Sequence, residues 1–238
     1  MKILMIHGSR QSGELFRAKL QALEKQIRRA IPPQADSVEL VYPTAPFPLV
    51  PSEGGDTSEL RNRHGAWSWF ESESIDGLYP GLERGLDSIA SILEESGPFD
   101  GIVGFSQGAA MAAMAASLLE GNRKDAFAQL EAEGGMSYPA CFDMLEHPPL
   151  KFVVSISGYG ASNPAYRAFY DPGIRTPMMH FLGSMDVVVD ESASMRLVES
   201  CQVDGKKAIV VWHSGGHVVP SGKRELAAVA HFIKSNVS

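Results

Sequence analysis

Cysteine is nearly absent from this chain of 238 residues, which has only Cys141 and Cys201. They lie far apart and form neither a CxxC pair nor the dense framework of a small disulfide-stapled fold, a pattern compatible with a reducing compartment. Long apolar runs are missing too. The opening MKILMIHGSR holds one lysine and a five- or six-residue apolar run, short of a signal-peptide core. No span of about 18 apolar residues occurs anywhere, so the chain reads as cytosolic and without a membrane span. A basic excess is also lacking: 21 Lys and Arg face 28 Asp and Glu, for a net charge of -7. Nucleic-acid affinity rests on cations that displace counterions, so DNA and RNA are excluded as main ligands. No histidine pair has H-E-x-x-H or similar spacing, and neither a metal nor another cofactor is expected.

What is present is an alternation. Ile3 to Ile6, Val38 to Tyr42, Gly101 to Phe105, Phe152 to Ile156, Met178 to Leu182 and Ala208 to Trp212 are short, nearly continuous apolar runs, as expected of strands buried on both faces. Helical patterns fall between them at about 12–30, 79–96, 107–119, 191–201 and 221–236. Such an order predicts an α/β fold with a mostly parallel central sheet of about six strands and helices on both faces. The length suits one such domain over residues 1–238. Two stretches, 42–65 and 120–149, break the alternation and read as loop excursions rather than linkers.

Two glycine turns invite a phosphate-binding reading, and both lack the residues for it. Gly8 and Gly13 have the spacing of a P-loop, but Glu14 and Leu15 stand where Lys and Ser or Thr are needed. Gly104 and Gly108 lack the third glycine of a dinucleotide fingerprint. The second turn instead fits G-x-S-x-G at every position: Gly104-Phe105-Ser106-Gln107-Gly108 follows an apolar strand and precedes an Ala/Met-rich helix. This arrangement presents a serine on a sharp strand-to-helix turn. The amide of Gln107 would then open the helix, where unpaired N–H groups and the dipole stabilise an oxyanion.

A serine hydroxyl needs an imidazole to take its proton, and the imidazole needs a carboxylate to fix its tautomer. The chain order Ser, acid, His, each just past a strand, directs the search. GSMDVVVD offers Asp186 and Asp190 after the fifth strand; Asp190 stands directly before a helix, where capping explains it, so Asp186 is preferred. HSGGHVVP offers His213 and His217 after the sixth. His213 continues the strand, so His217, in the loop beyond Gly215-Gly216, is preferred. A second oxyanion donor is expected from Gly8-Ser9-Arg10 after the first strand, and the HG-X pattern selects Ser9. Trp67, Trp69 and Phe70 add aromatic bulk beside the first excursion and are candidates for one wall of an acyl pocket or for ordinary core, with Tyr159 after the fourth strand a similar candidate.

The segments ILMIHGSRQSG, AWSWF, GPFDGIVGFSQGAA, PMMHFLGSMDVVV and WHSGGHVVP, spread in order over almost the whole chain, together resemble the FSH family of serine hydrolases. The resemblance implies an α/β-hydrolase core that lacks the first two strands of larger members. It also implies ester or thioester cleavage by Ser106, Asp186 and His217. Because the family includes thioesterases of fungal polyketide pathways, the sharper expectation is release of a polyketide or fatty acyl chain from an acyl carrier protein, docked by Arg28-Arg29 or Arg61-Arg63. The alternatives are a general carboxylesterase, an acyltransferase or macrocyclising enzyme, and a non-catalytic binding protein.

Overall fold

The computed structural model describes residues 1–31, 38–49, 65–201 and 208–237. Its main sheet has six strands, β1 (Lys2–Ile6), β2 (Glu39–Val41), β5 (Gly101–Phe105), β6 (Phe152–Ile156), β7 (Met178–Gly183) and β8 (Ile209–His213), in the order β2-β1-β5-β6-β7-β8. Every neighbouring pair is parallel, and Ile3 aligns with Gly101 and Gly104 with Ser155. A small antiparallel pair, β3 (Phe47–Pro48) and β4 (Trp67–Ser68), stands apart from it. The chain leaves β1 toward β2 on one side, while β5 to β8 run off on the other, so the order reverses between β1 and β5. In open α/β sheets the carboxyl ends at such a reversal border the ligand crevice.

Alternation along the strands sorts their side chains between two cores. Leu4, Ile6, Ile102, Val153 and Met178 point to one face. There they meet α3 (Leu82–Ser96), α4 (Gln107–Leu118), α5 (Arg123–Ala132), the 3-10 turn Pro164–Phe169 and Leu197 of α6 (Glu191–Ser200). Ile3, Met5, Val103, Phe105, Val154 and Phe181 point to the other, against α1 (Gly13–Lys19), α2 (Gln21–Ala30) and α7 (Lys223–Val237). Every residue of α4 is buried, and Gln107 and Ser117 are its two polar ones, as expected of a helix apolar on nearly every side.

Two expectations need correction. The helix expected over 12–30 is two helices that meet at Leu20, whose N–H is held by the carbonyls of Phe16 and Arg17. Part of the stretch 120–149 is helical: α5 buries Arg123, Phe127 and Leu130, and a 3-10 turn follows at Ala140–Phe142. Most of the other excursion, residues 50–64, lies outside the described residues.

Candidate active site

Ser106 follows β5 and caps the start of α4 with φ 54° and ψ -122°, a region costly for any residue with a β-carbon. Its N–H donates to the Ile156 carbonyl at 2.8 Å, fixing the turn to β6. The two glycines of the motif permit that turn. A β-carbon on Gly104 would stand 2.4 Å from the carbonyl oxygen of Gly108, and one on Gly108 would stand 2.3 Å from that of Ile6. Strand, helix and β1 therefore approach closer than side chains allow.

His217 reaches over the strand ends to Ser106. Its Nε2 lies 2.8 Å from Ser106 Oγ and its Nδ1 lies 2.8 Å from Asp186 Oδ2. Asp186 Oδ1 accepts from the N–H groups of Val188 and Val189 at 2.9 and 3.0 Å. Burial alone would raise the Asp186 carboxyl, but the His217 hydrogen bond and the two amides outweigh it, so the group titrates below its ordinary range. An ionised carboxylate only accepts. Nδ1 of His217 therefore carries the proton, and Nε2 is left to accept from the serine hydroxyl.

The loops that carry the acid and the imidazole are tied together. Ser184 N–H donates to His213 O at 2.9 Å and Met185 N–H to Gly215 O at 3.2 Å. His213 is not at the serine: it ends β8, and its Nδ1 accepts from Gly215 N–H at 3.2 Å, shaping the loop that bears His217. Asp190 sits at the N-cap of α6, and its side chain accepts no capping hydrogen bond.

A cavity of ≈ 630 Å³ opens at Ser106 and His217, bordered by Ser9, Arg10, Lys19 and Val218. Ser9 N–H donates to no acceptor among the described residues, whereas Arg10 N–H is taken by the Trp67 carbonyl at 2.9 Å. Gln107 is the first residue of α4, so its N–H has no carbonyl of the helix to accept it. Ser9 follows β1 and Gln107 follows β5, the two strands between which the order reverses. Among the described residues, no group of three or more His, Cys, Asp or Glu side chains is arranged to hold a metal ion.

The aromatic stretch packs largely into the core. Trp69 and Phe70 are buried in the core, and neither they, Trp67 nor Tyr159 border the cavity among the described residues. Tyr159 packs edge-on against Tyr79 at 6.4 Å. The segment is a brace. Trp67 N–H donates to Gln11 O at 3.0 Å, and the Trp69 indole N–H donates to His7 O at 2.9 Å. Trp69 N–H donates to Gln107 Oε1, and Gln107 Nε2 donates to Phe70 O, both at 2.8 Å. The segment 67–70 thus ties the loop that bears Ser9 to the residue that opens α4. His7 adds to this: Nδ1 donates to Gly8 O at 2.7 Å and Nε2 accepts from Ala45 N–H at 3.0 Å. That pattern requires the neutral ring, and burial lowers its pKa to about 4. Sequence spacing gave no sign of these roles for His7 and for the Gln107 side chain, because their partners lie far along the chain.

Known proteins share this architecture. A fission-yeast protein (Schizosaccharomyces pombe) named dihydrofolate reductase is 32% identical over 92% of this chain, which spans only 44% of that relative's length. The esterase OVCA2 of Xenopus tropicalis is 30% identical over 93% of this chain and 86% of its own. The crystal structure of Zea mays acyl-protein thioesterase 2 superposes with a TM-score of 0.60 at 22% identity, covering 100% of this chain and 94% of that one, a likeness of fold. Residues 1–229 match the family described as serine hydrolase (FSH1), and the chain belongs to that family of α/β-hydrolases.

Proposed function

We propose that this serine hydrolase is a carboxylesterase in which Ser106 is the nucleophile, His217 the general base and Asp186 the carboxylate that orients it. The observation that carries the reading is the continuous hydrogen-bonded chain Ser106–His217–Asp186, with 2.8 Å at each link. Ser106 Oγ attacks the ester carbonyl as its proton passes to Nε2, and the imidazolium that forms is stabilised by the Asp186 carboxylate. The developing oxyanion takes hydrogen bonds from the amides of Ser9 and Gln107. His217 then protonates the departing alcohol, leaving an acyl-enzyme, and activates the water that releases the acid and restores Ser106.

Relatives named as esterases favour an ester as the first substrate class. A thioester would react by the same steps, since a thiolate of ordinary pKa near 8.5 leaves readily. The narrower expectation, release of a polyketide or fatty acyl chain from a carrier protein, gains no support. Arg28, one of the residues expected to dock a carrier, binds Glu24 at 2.9 Å and the Val38 carbonyl. Arg61 and Arg63 lie outside the described residues.

The test is kinetic and chemical. Ser106→Ala is expected to lower kcat/KM on a short-chain aryl ester by about 10³-fold or more, with His217→Gln comparably impaired. A fluorophosphonate should label wild type and not Ser106→Ala. Full activity in a clean Ser106→Ala preparation would refute the assignment.

A further inference from the structure

The cavity at Ser106 is not electrically neutral. Arg10 and Lys19 both border it, and no carboxylate does among the described residues. Neither side chain makes an ion pair or hydrogen bond with a described residue, although acidic residues outnumber basic ones by 28 to 21 in the whole chain. Lysine in the last turn of α1 is favoured by the helix dipole without any ligand. Arg10 has no such explanation. It is held at φ 61°, a left-handed conformation that favours glycine or asparagine, with its backbone fixed to Trp67. A bulky cation in a strained conformation beside the nucleophile points to a function for the side chain. The opposite lip is apolar: Val188 and Val218 border the same cavity, 67% and 50% exposed.

We propose that the substrate is an anionic ester or thioester, with a carboxylate or phosphate near the scissile carbonyl that pairs with Arg10 and Lys19 while an apolar part lies against Val188 and Val218. This rests on the esterase reading and narrows its substrate class. The cavity is large enough for a small acyl ester and its charged group together, and it places that group in the same space as Ser106. Arg10 supplies the planar fork that matches an oxyanion group; Lys19 adds a point charge.

The test compares matched pairs of esters. One pair is the para-nitrophenyl monoester of glutaric acid and its neutral methyl diester, with the charge on the acyl side. The other is the butyrate ester of glycolic acid and that of methyl glycolate, with the charge on the alcohol side. Wild type is expected to favour the anionic member of at least one pair in kcat/KM, which also assigns the side that meets the cations. The ratio of anionic to neutral kcat/KM should fall about tenfold or more in Arg10→Gln/Lys19→Gln. It should be partly restored by Arg10→Lys with Lys19 intact, and it should shrink in wild type as salt screens the pair. A ratio that is the same in wild type and the double variant, at low and high salt, overturns the inference while the esterase reading stands. No Ser106-dependent cleavage of either neutral ester, with no fluorophosphonate labelling of Ser106, overturns both.

Discussion

The side chain of Gln107 is buried and bonded at both ends, accepting from Trp69 N–H and donating to Phe70 O. Truncation would leave a buried donor and a buried acceptor without partners, at about 1–3 kcal/mol each. Gln107→Ala is therefore expected to lower unfolding free energy by about 2–6 kcal/mol, read from denaturant curves. It keeps the backbone amide assigned to the oxyanion. Activity per fluorophosphonate-titrated site should accordingly fall far less than in Ser106→Ala. Gln107→Glu separates the two bonds, since a carboxylate still accepts from Trp69 but cannot donate to Phe70. A Gln107→Ala protein as stable as wild type would show that the 66–70 segment does not brace the site.

At the scale of elements, α5 shows what charge patterning conceals. Arg123 begins that helix and would pass for a solvated residue, yet its side chain is 0% exposed. It donates to the carbonyls of Ser117, Ala168, Pro172 and Gly173 and pairs with Glu120 at 3.1 Å. Glu120 in turn accepts from the N–H groups of Arg175 and Thr176 at 2.8 Å. The pair joins the end of α4 to the segment that leads into β7. Removing one partner strands the other charge in the core, and Glu120→Ala is expected to cost about 3–5 kcal/mol. Denaturant melts of Glu120→Ala, Arg123→Met and the double variant check this, with the double expected to lose less than the sum of the singles.

The same hub explains where reading from sequence stops. The strands are legible because neighbours such as Ile102 and Val103 are buried on opposite faces of the sheet and form unbroken apolar runs. Ser106, Asp186 and His217 are legible as neighbours because parallel strands bring their carboxyl ends to one edge, whatever the distance along the chain. The helix of α5 is hidden because only Phe127 and Leu130 mark its inner face, while carbonyls from distant turns make Arg123 buriable. AWSWF stays ambiguous in the sequence for a related reason: aromatic bulk looks alike in a core and in a pocket wall. What decides between them is Gln107 and His7, which are close only in the folded chain.

Over the whole molecule, a sheet covered on both faces encloses two histidines that burial keeps neutral. His7 follows β1 and His180 lies on β7, at 0% and 1% exposure, and burial lowers both from 6.5 to about 4. In the unfolded chain each ring takes a proton near 6.5, whereas the folded ring resists until about 4. Between those values the unfolded state binds more protons, so unfolding free energy rises with pH. The stabilisation is intact above 6.5, erodes as pH falls, and is fully lost below about 4, on the order of 3 kcal/mol for each ring. Carboxylates with lowered pKa, such as Asp186 and Asp100, lose their contribution lower, as pH falls below the ordinary carboxylate range. His180 isolates the imidazole window best, because it lies away from the serine and its Nε2 has no hydrogen-bond partner among the described residues. Urea melts of wild type and His180→Leu between about pH 7.5 and 4.5 should converge or cross as pH falls, the variant losing less stability across the window. Parallel losses in the two proteins would mean that His180 is already protonated in the fold, against the burial that surrounds it.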